Sequence, residues 1–465
     1  MAFNILTATV TDLEDLLNKR VLTSEFLVTE YLKQIEKYNG YLHAVIATAP
    51  EDLLLERARF LDGERAAGRV IGPLHGIPLL VKDNIATHPD LGMDTTAGTY
   101  ALVGSKPPDS VPCVKKELSN FRGLHMPTGW SAVGGLTQSP YVIGGKRWDD
   151  GFGGHSAPGG SSSGSCAGVA AGFAPAALGT DTSGSILMPA TRHGVYAMKP
   201  TLGLVSQDGI CPISYDFDSA GPIARSARDI AVLLDVLEWH MPEVVVHLIP
   251  DIDDQQDTDI AAAYERLRSL GAIVKVVEVA SLDELDVDGM SQIQRVMVSN
   301  SQFRETIDSY LSTLEDSEVH NLDELIQFMR DHAETEMPPE SPNMTRLETA
   351  ASFNLSDEAY QEALADMRHF GRRRCIDKCL EDYEVDIILG PGDSRMNELY
   401  ATAGYPMAVM PLSYATYNGR PFGVCAIARA NREDVLVQLM SAWEKSFNTD
   451  RQLPTWIGGD PKSEP

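Results

Sequence analysis

The sequence predicts an α/β protein, a single large three-layer sandwich over residues 1–465 with a mixed central sheet flanked by helices. Short apolar, β-branched runs alternate with longer stretches of helical periodicity, which builds a largely parallel or mixed sheet between helical layers. The 465 residues are 43% hydrophobic, enough for one large core. No stretch approaches the roughly 18 uninterrupted apolar residues of a membrane span.

The elements follow in order. Thr23 to Gly40 reads as a helix: hydroxyl residues open it, Leu27, Tyr31, Ile35 and Tyr38 recur at helical spacing, and Gly40 is expected to stop it. Pro50 to Gly68 reads as a second helix, with proline at the opening position and glycine at the end. Ile77 to Val81 reads as a short buried strand delivering Lys82. The small residues from Ser165 to Ala176 read as a buried helix whose N-terminus faces the Gly/Ser loop before it. Ala227–Trp239 is expected to be helical and Val244–Ile249 a strand, with Asp251–Asp259 an acidic loop leading to a helix over Ile260–Leu270. Val274–Val279 and Val385–Pro391 read as strands, and Glu336–Asn343 as a loop.

A net charge of −28 repels phosphate backbones and anionic lipid, so nucleic acid and membrane are excluded as partners, and solubility is its plain meaning. The N-terminal residues lack a basic leader followed by an apolar run. Six cysteines scattered through the chain fit reduced thiols, and the expected location is cytoplasmic. Cys375 and Cys379 are four apart but lack a second ligand pair, so no metal site is expected.

The chemistry gathers at two serine-rich runs and one lysine. Pro158-Gly-Gly-Ser-Ser-Ser-Gly-Ser165 and Gly179-Thr-Asp-Thr-Ser-Gly-Ser185 set hydroxyls among glycines, where the backbone turns tightly and aims several N–H groups at one point. Upstream, Gly76-Ile-Pro-Leu-Leu-Val-Lys82 places a lysine after an apolar run, the type that can be desolvated to act as a neutral base. Together they suggest a serine nucleophile that needs no histidine. Gly160-Ser-Ser162-Ser-Gly164 also fits the nucleophile-elbow pattern, but that elbow needs a strand before it, and Arg147–Pro158 reads as loop. His155 and His193 read as packing or hydrogen-bonding groups.

These runs, with Pro189-Ala190, resemble the amidase signature family, and its fungal-type members with a Ser-Ser-Lys triad in particular. Gly72–Asp83 resembles the family's lysine motif, and Lys199-Pro-Thr-Leu-Gly203 the segment after the signature. Ala403–Pro406 and Gly419–Gly423 resemble the C-terminal part of fungal and bacterial members. The resemblance divides the chain into N-terminal helices (1–70), a signature core (71–230), a variable, mainly helical region (231–380) and the rest of the core (381–465).

It implies three catalytic positions: Ser185 as nucleophile, Ser161 (after a cis peptide bond in relatives) as the serine relaying the proton, and Lys82 as base. The interval between the serines picks Ser161 from its neighbours. Ser161 Oγ is then expected about 2.6–3.2 Å from both Ser185 Oγ and Lys82 Nζ. The N–H groups of Thr182, Ser183, Gly184 and Ser185 are the candidate oxyanion donors, with Gly160, Ser162 and Asp181 in support. The implied function is hydrolysis of a small-molecule carboxylic amide through an acyl-enzyme, with no cofactor and with a homodimer left open. The alternatives are acyl transfer to an amine or alcohol, the glutaminase subunit of a tRNA-dependent amidotransferase, and an inactive relative acting as a binding protein. The chain departs from the family at Leu187, where many relatives carry an arginine that could pair with Asp181. It also departs in a shortened Phe121–Trp130 segment and in a brief connection between Leu237 and Val244.

Overall fold

The alternation of apolar strand runs with amphipathic helices folds into helical layers on both sides of one mixed sheet, as expected from the sequence. The structure, a computed structural model, describes residues 3–107, 123, 126–150, 154–234, 244–247, 254–277, 279, 291–353, 355–447 and 451–457. Its strands are β1 (Leu80–Val81), β2 (Trp130–Ser131), β3 (Gly135–Leu136), β4 (Ala176–Asp181), β5 (Tyr196–Lys199), β6 (Ser219–Ala224), β7 (Val244–His247), β8 (Val274–Val277), β9 (Ile387–Pro391), β10 (Met407–Tyr414) and β11 (Pro421–Ala428). Apart from the small β2–β3 pair, they form one nine-stranded sheet in the order β1-β4-β6-β5-β10-β11-β9-β7-β8. β1 runs parallel to β4, and β7 parallel to both β8 and β9. The remaining neighbours are antiparallel.

The N-terminal helices are α1 (Val10–Asn18), α2 (Ser24–Leu42) and α3 (Glu51–Ala66), followed by α4 (Ser163–Ala171), α5 (Leu187–His193), α6 (Ala227–Leu234) and α7 (Asp254–Ser269). A helical block holds α8 (Ser291–Leu311), α9 (Leu322–Asp331), α10 (Ala333–Glu336), α11 (Thr345–Ser352) and α12 (Asp357–His369). Last come α13 (Asp377–Asp382), α14 (Met396–Ala403) and α15 (Glu433–Phe447). A π-helical turn over Phe370–Ile376 joins α12 to α13 and buries Cys375, while Cys379 is buried on α13.

Strand alternation divides the core. Ala408 and Met410 of β10 pack with Leu13, Tyr31 and Trp443 on one face, where α1, α2, α6, α7 and α15 lie. Met407 and Val409 pack with Val169, Leu187 and Tyr400 on the other, under α4, α5 and α14. A separate cluster around Phe303, Leu325 and Leu347 ties α8, α9 and α11 to Ala101 and Leu102.

The structure corrects several boundaries. α2 passes through Gly40 to Leu42 and is capped by His43 at φ 46°, because Tyr38 and Leu42 both bury on its inner face. β1 is two residues long at the sheet edge, with Val81 exposed: Pro78 has no N–H to give a ladder. The acidic stretch before residue 260 is helical from Asp254 onward. The helix from Ser163 ends at Ala171 on Gly172 at φ 79°, and the next residues enter β4. Trp239, the 237–244 connection apart from Val244, and residues 121, 122, 124 and 125 of the 121–130 segment lie outside the described residues. Among the described residues, no helix is long and apolar enough to cross a membrane.

Gly76 fixes the approach to β1. It has φ +80°, and a Cβ there would stand 2.0 Å from Ser24 Oγ. Gly76→Ala should therefore lower stability by about 2 kcal/mol or more. An unchanged urea midpoint would contradict this placement.

Candidate active site

β1 ends by placing Lys82 in the interior, at 6% exposure. Its Nζ donates to Ser161 Oγ at 2.7 Å and to Thr180 Oγ1 at 3.1 Å. Asn84 Nδ2 donates to the same Thr180 hydroxyl at 3.0 Å. Ser161 itself is 6% exposed and follows a cis peptide bond from Gly160. The helix after this loop is packed by its own serines: Ser162 Oγ donates to Thr180 O (3.2 Å), and Ser165 Oγ to Leu178 O (3.0 Å). Gly164 and Gly168 let α4 close in, since a Cβ would meet Ala44 O at 2.3 Å or Leu80 Cδ1 at 2.4 Å.

The second serine turn is bound to the first by Ser162 N–H, which donates to Ser185 O at 2.9 Å. Its shape comes from Asp181. Oδ1 accepts from Gly184 N–H (2.9 Å) and from Tyr400 OH (2.5 Å), and Oδ2 from Ile186 N–H (2.6 Å). Thr182 Oγ1 donates to Asp218 Oδ1 at 2.7 Å, tying the turn to the chain ahead of β6. Gly184 sits at φ 100°, which a residue with a side chain would resist.

Two expectations need correction. Gly184 N–H is taken by Asp181 and Tyr400, so it is turned away from the role of oxyanion donor. That leaves the N–H groups of Thr182, Ser183 and Ser185 as candidates. No hydrogen bond joins Ser185 Oγ to Ser161 Oγ among the described residues, whereas the Lys82–Ser161 contact is formed. The backbone already holds the two loops together, and rotation about one side-chain bond redirects a serine hydroxyl.

The histidines near the runs face elsewhere. His193 is buried with Nδ1 on Pro189 O at 2.8 Å, and burial lowers its pKa to about 4. His155 is exposed and contacts Tyr417 OH. The segment ahead of Ser161 has no strand among its described residues, and is anchored by Arg192, which donates to Gly154 O and Ala157 O. Arg192 also pairs with Asp393 at 2.7 Å, and Arg420 does so at 3.2 Å. Burial would raise the Asp393 carboxyl, but these two guanidiniums hold it below its ordinary value.

Sequence reasoning assigned no role to Asn84, Thr180, Lys199 or Tyr400. Asn84 and Thr180 stand inside the motif runs, a signal in plain view, but Tyr400 comes from a helix more than two hundred residues downstream. A cavity of about 210 Å³ reaches Lys82 and Ser161, walled by Tyr31, Ile46, Leu54 and Phe173.

A mixed α/β sandwich holds a buried lysine on one serine, beside a glycine-flanked turn carrying another, and the family match puts this arrangement in an amide-hydrolysing enzyme. The chain belongs to the amidase family, whose model, described as Amidase, matches residues 26–120 and 149–396. It is 30% identical over 485 aligned residues to an Arabidopsis thaliana protein named "Probable amidase", covering 96% of this chain and 91% of that one. The crystal structure of a peptide amidase from Stenotrophomonas maltophilia superposes with a TM-score of 0.83 at 30% identity, over 96% of this chain and 98% of the other. One component of the glutamyl-tRNA(Gln) amidotransferase of Moorella thermoacetica is 37% identical over 237 residues, which is 50% of this chain and 47% of that protein.

Asp83 beside the lysine carries a pH signature. Burial pushes its pKa from 3.8 to about 6, against hydrogen bonds from Thr96 and Gly98 N–H. With the folded value raised, its contribution to stability is greatest below the unfolded value and is lost as pH rises through about 6. Urea midpoints measured from pH 4 to pH 7 should therefore fall less in Asp83→Asn than in the wild type. Equal slopes would contradict the assignment.

Proposed function

We propose that this amidase cleaves a small carboxylic amide through a covalent acyl-enzyme on Ser185, releasing ammonia or an amine. Ser185 Oγ attacks the carbonyl while its proton passes to Ser161 Oγ, and the Ser161 proton passes to a neutral Lys82. The oxyanion rests on N–H groups of Thr182, Ser183 and Ser185, aimed before the substrate arrives. The proton returns through Ser161 to the leaving nitrogen, and water then attacks the acyl carbonyl by the same relay in reverse. No cofactor is required. The observation that carries this reading is the buried 2.7 Å contact of Lys82 Nζ with Ser161 Oγ, one backbone hydrogen bond away from the Ser185 turn.

Two measurements test it. After treatment with a fluorophosphonate, mass spectrometry should find one adduct, on Ser185. A stoichiometric adduct on Ser162 or on a cysteine would remove Ser185 from the mechanism. Lys82→Ala should lose about 10²–10⁴-fold in acylation rate, and the rise of rate with pH should vanish with it. A variant that keeps the wild-type pH profile would exclude Lys82 as the base.

A further inference from the structure

The Asp181 carboxylate, which builds the Ser185 turn, is itself fully buried. Its hydrogen-bond donors are backbone N–H groups and the Tyr400 phenol, all neutral. Leu187 adds a further N–H at 3.4 Å, but its side chain brings no charge. A buried carboxylate needs a cation nearby to stay ionised at low cost.

Among the described residues, an ammonium on the same face of the sheet, that of Lys199, makes no hydrogen bond. Lys199 ends β5 two residues after Ala197, so strand alternation points both toward Tyr400 and α14. Its side chain is 0% exposed, and Nζ has no hydrogen-bond partner among the described residues. That Nζ stands 5.6 Å from the centre of the Tyr400 ring, the ring whose hydroxyl donates to Asp181. A cation over an aromatic face is held by the ring's quadrupole without needing a hydrogen bond.

We propose that Lys199 is a positioning residue of the nucleophile turn: seated on the Tyr400 ring, it sets a buried positive charge against the Asp181 end of the turn, and through Tyr400 and Asp181 it holds the backbone carrying Ser185. This rests on Ser185 being the nucleophile. The charged groups facing Lys199 are Asp181 on β4, Asp218 ahead of β6, Arg368 on α12 and Glu433 at the start of α15. Burial lowers the lysine to about 8, and among the charges Asp181 opposes that most strongly. Glu433 is engaged with Thr201 N–H, and Arg368 with the carbonyls of Ala401 and Thr402. Burial and Asp181 also push the Tyr400 phenol far above its ordinary range, so it remains a donor.

Because the folded value of Lys199 lies below the unfolded 10.5, its charge costs stability under about pH 8, and that cost fades as pH rises toward 10.5. A residue retained at such a cost is better tested by activity than by stability. Lys199→Met should remain folded at pH 7, yet fluorophosphonate labelling of Ser185 should slow by about 100-fold. The acid limb of its rate–pH profile should also move upward, because a buried positive charge beside the turn has gone. If that variant is insoluble, Lys199→Gln, which can hydrogen-bond in place, should show the same slowing and the same shift. Labelling within twofold of the wild type, or slowing with no shift of the acid limb, would overturn the positioning role. An adduct away from Ser185 in the wild type would overturn the nucleophile reading, and this inference with it.

Discussion

Strand β4 is the constraint on which the site depends. Successive side chains of a strand point to opposite faces, and β4 ends in Thr180 and then Asp181. Thr180 Oγ1 receives Lys82 and Asn84, while Asp181 turns toward Tyr400 and gathers the N–H groups of the Ser185 turn. One residue of slip in β4 would exchange these two roles, leaving a carboxylate on the lysine and a hydroxyl under the turn. The register that prevents this is set by six consecutive pairs with β6, from Ala176↔Ala224 to Asp181↔Ser219.

The remaining parts of the site are attached to that strand. β1 lies along it in parallel and delivers Lys82, whose own N–H donates to Leu178 O. Ser162 and Ser165 of the α4 loop and helix bond to β4 carbonyls, so the Gly/Ser run is tied to the strand by side chains as well as by packing. The arrangement is therefore preorganised by hydrogen bonds among buried groups, the condition under which donors and bases act without reorganising during reaction.

Reading the sequence singled out residues that the structure brings together, Lys82 and Ser161, more clearly than it drew the sheet. The three-position pattern of Lys82, Ser161 and Ser185 needs only motif and interval, and the structure places Lys82 on Ser161 directly. Five strands, β4, β5, β6, β10 and β11, carried no clear signal. They are buried on both faces, so they show no alternation, and their small residues read equally well as loop or helix. β6 runs Ser-Ala-Gly-Pro-Ile-Ala, with a glycine and a proline inside a central strand. The glycine is required because a Cβ at Gly221 would stand 2.1 Å from Met198 O. Tyr400 and Lys199 were hidden for another reason: their meaning lies in a contact between strand and helix that no local spacing encodes.

The central claim is that the Asp181-built turn offers Ser185 to a carbonyl beside the Lys82–Ser161 pair. A crystal structure of the fluorophosphonate adduct tests it most directly. The account predicts density continuous from Ser185 Oγ, a phosphoryl oxygen about 2.7–3.1 Å from N–H groups of Thr182, Ser183 and Ser185, and Gly184 N–H still on Asp181. A phosphoryl oxygen directed away from that turn, or a turn whose N–H groups have left Asp181, would contradict it.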